Sequence, residues 1–166
     1  MTDGSSQFEQ LRPGLWDTIN ERYPGSMITK HDTVPLAPLN KALSAARVGF
    51  VSSAGVQPKG TVPFDVVHPV GDYTFRRVPR DTSVADLEIH QIKYPTQGAV
   101  RDLNVIFPIE RLRDLVTDGT IAALTDDLFS FIGYNMDPER LEQTLAEEIA
   151  AAVVADGADA ALLAPA

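Results

Sequence analysis

The stretch HQIKYPTQGAVRDLNVIFP, beginning at His90, sets an imidazole, a phenol, an ammonium, a carboxylate and a carboxamide between a strand-like and a helix-like segment. These are the groups of acid–base chemistry on a small polar substrate. His90 can take up and release protons near neutral pH. Tyr94 can donate a hydrogen bond, Asp102 can orient the imidazole or hold a substrate ammonium, and Asn104 can contact ligand. Upstream, the Pro- and Gly-rich residues 56–80 carry Asp72 and Arg76, and a planar guanidinium suits bidentate capture of a carboxylate. Ser53 and Gly55, after an apolar run, complete the candidates for substrate contact. Each has a structural alternative. A strand-end histidine can serve only as a hydrogen-bonding residue, Asp and Asn close turns and cap helices, and Tyr-Pro anchors turns. Arg76 can pair with Asp72 in solvent, and Gly55 can simply permit a turn.

Such groups need strands and helices to hold them. RVGFVSSAG reads as a buried strand and its turn, because a continuous apolar run bounded by small residues suits a parallel sheet covered on both faces. DLEIHQI alternates apolar and polar residues and predicts a second strand. LFSFIGY and the end of ADGADAALLAP predict two more. GDYTFRRV predicts a short extended piece within the long loop. Pro38 predicts the opening of a short helix over residues 40–46. In VIFPIERLRDLVTDG, Pro108 fits the first turn of a helix, Ile109, Leu112, Leu115 and Val116 fall on one face, and Gly119 can end it. Asp137 and Pro138 start another helix, whose buried stripe is Leu141, Leu145, Ile149, Ala152 and Val153. Alternating strands and helices imply one α/β domain, a three-layer Rossmann-like sandwich with a mainly parallel sheet of about four strands. It is expected over residues 31–166. Residues 1–30 read as an N-terminal helical segment whose stripe of Phe8, Leu11, Leu15 and Trp16 packs on the core or on a partner. In open parallel sheets, ligands bind beyond the carboxyl ends of the strands, which places Ser53, Gly55 and His90 at the mouth of a cleft.

Composition narrows the partners. The 166 residues are 44% hydrophobic and 22% charged, with a net charge of −9. That disfavours nucleic acid and anionic membrane surfaces, both of which need clustered Lys and Arg. There is no cysteine, hence no disulfide, thiolate metal site or thiol nucleophile. The N-terminus lacks the pattern of a signal peptide, so cytoplasmic residence is the expectation. No P-loop or GxGxxG follows a strand, and no cofactor is expected. His31, His68 and His90 are the only imidazoles and share no ligand spacing. A metal site of histidine and carboxylates brought together by the fold stays open as an alternative.

VPLAPLNKAL, VGFVSSAGVQ, GDYTFRRVPRDT, the His90 segment, DLNVIFPIERLRDLV, FSFIGY and DGADAALLAP occur in that order. From Pro35 onward the chain thereby resembles the B-subunit family of glycine, sarcosine, betaine and D-proline reductases, including shorter selenium-free relatives. The resemblance implies an α/β domain that binds a small amino-acid-like substrate. In the reductases a selenocysteine or cysteine centre helps cleave a C–N bond reductively. This chain has no cysteine, and it has Gln57 where relatives often have histidine and Pro95 where an Asp often follows the aromatic residue. The resemblance then implies acid–base chemistry without a thiol or selenol. The alternatives are a non-catalytic subunit that completes a site with a partner chain, and a metal-dependent small-molecule enzyme. Partnership is expected either as a homodimer or with a different subunit.

Overall fold

The computed structural model describes Glu21, residues 37–92 and residues 94–166. The expected helical stripe of the first 30 residues, the boundary after it, and His31 lie outside the described residues. The α/β architecture belongs to one compact unit, Val34–Ala166.

Strand β1, Arg47–Ser52, is the hub of the sheet. Along one flank it pairs in parallel with β7, Ala160–Ala164, from Val48↔Ala160 to Ser52↔Ala164. Along the other it pairs in parallel first with β5, Ala123–Leu124, and then with β6, Asp127–Phe131. β3, Phe75–Pro79, closes that side, antiparallel to β6 from Phe75↔Phe131 to Pro79↔Asp127. The sheet is therefore mixed and mostly parallel. β2, Val56–Pro58, and β4, Leu87–Ile89, form a separate two-stranded antiparallel sheet.

Side-chain alternation along β1 gives the two faces their cores. Val48 and Phe50 point to one face, where they meet Ile109 and Leu112 of α2, Ile109–Thr117, together with Phe107, Leu124 and Leu128. Phe50 and Phe107 are fully buried and meet edge to face, with centroids 5.2 Å apart. Val51 points to the other face, against Phe129 and the Leu145, Ile149, Ala152 and Val153 stripe of the last helix. That helix, α3, runs through Pro138–Arg140, a π-helical Leu141–Ala146 and Glu147–Ala155. Asp137 caps it by accepting from Arg140 N at 3.0 Å. Gly49 lets α3 approach, since a Cβ there would sit 2.9 Å from Val153 Cγ1. The three-layer α/β expectation holds, as do the faces of both long helices. Gly119 takes the left-handed conformation after α2, with φ +77°.

Two local expectations do not hold. Residues 40–46 form only a single 3-10 turn, Leu43–Ala45, with no buried residue to stabilise a longer helix. DLEIHQI does not join the parallel sheet. Its Leu87–Ile89 pairs with Val56–Pro58, and the place beside β6 goes to FRRVP, which spans five residues with Phe75 packed against the core under α3. A short helix, α1, Gln97–Arg101, buries Ala99.

The first turns of β1 and β7 are tied by Asp159. Its carboxylate accepts from Arg47 N at 2.8 Å and meets Lys41 Nζ at 2.6 Å, while its own N–H donates to Arg47 O. The Arg47 backbone hydrogen bond, followed by the Lys41 interactions, holds this carboxyl below its ordinary value of 3.8. A carboxyl with a folded pKa below its unfolded value stabilises the fold above the unfolded pKa. That stability is lost as pH falls through the folded pKa. The urea midpoint is therefore expected to drop on acidification below about pH 4, and to drop less in Asp159→Asn. Equal acid losses in both proteins would contradict this. Separately, Gly49→Val is expected to cost about 1–3 kcal/mol by forcing α3 off the sheet. Gly98→Ala, in α1 with open space around it, is expected to be neutral or stabilising by up to about 1 kcal/mol in the same denaturation experiment.

Candidate functional site

The chain leaves β1 through a turn that no other residue type could make easily. Gly55 has φ +67°, and a Cβ on it would lie 2.5 Å from the His90 carbonyl oxygen. Its N–H donates to Phe131 O at 2.9 Å, and its carbonyl accepts from His90 N at 2.8 Å. One glycine thus joins the carboxyl ends of β1 and β6 to the segment that opens with His90. Tyr94 reinforces the join by donating its hydroxyl to Ala54 O at 2.9 Å. Burial raises the Tyr94 pKa, which keeps the phenol protonated and donating. Beside it, Ser53 Oγ accepts from Ala166 N at 3.0 Å, and Ser53 packs on Gly133, where a Cβ would come within 3.1 Å.

β2 is anchored to the main sheet by Val56 N, which donates to the buried Ser130 Oγ at 2.9 Å. On the small sheet, Gln57 and Glu88 are cross-strand partners. Gln57 is fully buried. Its Oε1 accepts from Phe64 N at 3.3 Å, and its Nε2 donates to Thr61 Oγ1 at 3.2 Å and to Glu88 Oε1 at 3.1 Å. The same Glu88 oxygen lies 3.1 Å from His90 Nε2, with both side chains about one-third exposed. The carboxylate on His90 is therefore Glu88. A period-two reading of LEIH carried the signal for it, since residues i and i+2 of a strand share a face. Gln57 carried no such signal, because only the pairing of β2 with β4 sets it opposite Glu88.

Asp102 is placed differently. Its Oδ1 accepts from the backbone N and from Nδ2 of Asn104, both at 3.0 Å, and caps the 3-10 turn Leu103–Val105. Those hydrogen bonds hold its pKa below the ordinary aspartate value. Asn104 in turn donates to Glu110 Oε2 at 2.7 Å and accepts from Glu110 N at 3.2 Å. Glu88, Arg101, Asp102, Asn104 and Glu110 share the wall of an open hollow of about 390 Å³. His90, Tyr94, Ser53 and Gly55 are not in that wall, so Glu88 is the link between the hollow and the imidazole. A larger apolar hollow of about 470 Å³, between α3 and β7, contains none of these groups.

Asp72 and Arg76 organise the long loop. The Asp72 carboxylate accepts from Asp65 N and Thr74 N, both at 2.8 Å. Arg76 donates to Val62 O, Pro63 O and Thr74 Oγ1, and lies 4.1 Å from the centroid of the Phe64 ring. Its fork is engaged by the loop's own acceptors, Val62 O, Pro63 O and Thr74 Oγ1. Among the described residues no group of three His, Asp or Glu is placed to hold a metal ion. Nor is any helix among them long and apolar enough to cross a membrane.

Residues 20–166 match the model of the glycine/sarcosine/betaine reductase selenoprotein B family. The chain belongs to this family. It is 33% identical over 126 residues, 76% of its length, to the D-proline reductase subunit gamma of Acetoanaerobium sticklandii. It is 28% identical over 135 residues, 80% of its length, to the glycine reductase complex component B subunit gamma of Carboxydothermus hydrogenoformans, and 29% identical over 126 residues, 74% of its length, to that of Peptoclostridium acidaminophilum. The chain spans about half of the first relative (51%) and under a third of the other two (31% and 28%). No solved structure matches it.

Ser130→Ala leaves the buried Val56 N–H without its acceptor. It is expected to cost about 1–3 kcal/mol and to speed hydrogen exchange at Val56 and across β2–β4 before the main sheet. Unchanged exchange at Val56 would show that the anchor does not hold the small sheet.

Proposed function

We propose that the chain is a selenium-free member of this family that binds a small amino-acid-like molecule and acts on it by acid–base chemistry at His90. The carrying observation is the Gln57–Glu88–His90 series, which holds an imidazole against a carboxylate beside the carboxyl ends of β1 and β6. A neutral imidazole near such strand ends can accept a proton from a bound ammonium or amino acid and return it. The Glu88 and Asp102 carboxylates, in the wall of the adjoining hollow, suit a cationic nitrogen. These residues contain no cysteine, so in this reading any reductive step relies on a thiol or selenol from outside them.

The same reading makes the chain one component of a larger assembly. The relatives are named as subunits of reductases, and β7 shows an exposed apolar edge with Leu162 46% and Leu163 69% accessible. Charged residues or a covering element ordinarily blunt such an edge. A partner subunit is favoured over a free-standing enzyme on that ground.

Calorimetric titration of glycine, sarcosine, betaine and D-proline is the test. At least one of them is expected to bind saturably and to bind about ten-fold more weakly, or about 1.4 kcal/mol less favourably, to His90→Ala. Absence of binding by all four, or binding indifferent to His90→Ala, would overturn the reading.

A further inference from the structure

We propose that Glu88, oriented by the buried amide of Gln57, occupies Nε2 of His90 and leaves Nδ1 as the nitrogen that exchanges protons with a ligand. This rests on the acid–base reading of His90 and specifies which atom would carry it.

The Gln57 amide cannot turn over without loss. Its oxygen is committed to Phe64 N and its nitrogen to Thr61, and the remaining donor reaches Glu88 Oε1 at 3.1 Å. An amide rotated by half a turn would set its nitrogen against the Phe64 N–H and its oxygen against the Glu88 carboxylate. Both contacts would be repulsive in a fully buried position. Glu88 is thus fixed from the interior rather than floating on the strand surface. A carboxylate can only accept, so a lone pair on His90 Nε2 would face a lone pair on Glu88 Oε1 across 3.1 Å. The proton of the neutral imidazole therefore belongs on Nε2, and its free lone pair is on Nδ1. Among the described residues nothing engages Nδ1. Gln57 and Glu88 are positioning residues, since they act through His90.

Regiochemistry of alkylation reads this out independently of turnover. The attacking nitrogen is the one with the lone pair, which forms the N–C bond as iodide leaves. With no cysteine in the chain, iodoacetamide is not consumed by thiols, and peptide mapping separates His90 from His31 and His68. Hydrolysis and chromatography then distinguish the two carbamidomethyl isomers. His90 is expected to react at Nδ1 about ten-fold in preference to Nε2. Glu88→Ala and Gln57→Met are expected to move the product towards Nε2. Glu88→Gln should keep the wild-type preference, because Gln57 still selects the oxygen of the new amide. Circular dichroism checks that each variant folds, and if Gln57→Met does not, the part-exposed Glu88→Ala still decides.

The same isomer ratio at His90 as at His68 in the wild-type protein, or a ratio unchanged by Glu88→Ala, would overturn the proposal. The titrations with His90→Ala fail or succeed separately. Normal ligand binding by that variant, with the expected alkylation pattern in the wild-type protein, would remove the acid–base reading while the positioning of His90 stood.

Discussion

The left-handed turn at Gly55 is the constraint on which the candidate site depends. A residue with a side chain would strain that backbone conformation and collide with the His90 carbonyl 2.5 Å away. Because the turn is so tight, the backbone of His90 can bond directly to Gly55 while Gly55 bonds to Phe131. Two parallel strands and the polar segment are drawn together at a single peptide. Tyr94 on Ala54 and Val56 on Ser130 flank that peptide on either side. None of these contacts is chemistry. They are what gives the candidate groups a fixed place.

From that peptide the small β2–β4 sheet projects over the face of the main sheet that carries α2, and Val56 and Leu87 join the same core as Phe50 and Phe107. The inner side of the small sheet is apolar, and its register alone sets Gln57 opposite Glu88. A one-residue slip would turn both side chains over. The register is protected by the burial of Val56 and by its hydrogen bond to Ser130, so core packing and imidazole orientation rest on the same contacts. On the opposite face, α3 is brought in by Gly49 and is remote from the polar network, with only apolar side chains lining the hollow beside it.

Much of this was legible from local pattern. The apolar run of β1, the stripes of α2 and α3, the Asp137–Pro138 start and the Gly119 stop are short-range signals, and each stands where its residues placed it. The failures were long-range. DLEIHQI alternates like any half-buried strand, and alternation does not name a partner. The antiparallel β3 read only as a short extended piece because Arg76 and Arg77 dilute its apolar character, although Phe75 and Val78 are what pack. Asp102 was expected either to orient His90 or to hold a substrate ammonium. Its Oδ1 caps the turn Leu103–Val105, as its residue type equally allowed, and the carboxylate on the imidazole is Glu88.

The sequence by itself determined the fold class, the faces of the long helices, the acidic balance and the absence of thiol chemistry within these residues, because each follows from residue type and spacing along the chain. It also offered His90 as a candidate. Tertiary structure alone decided that Glu88 is the carboxylate beside that imidazole, that a buried Gln57 fixes it, and that Arg76 serves the loop. These depend on which strands pair and in what register. Pairing is settled by burial summed over residues far apart in the chain, which no local pattern encodes.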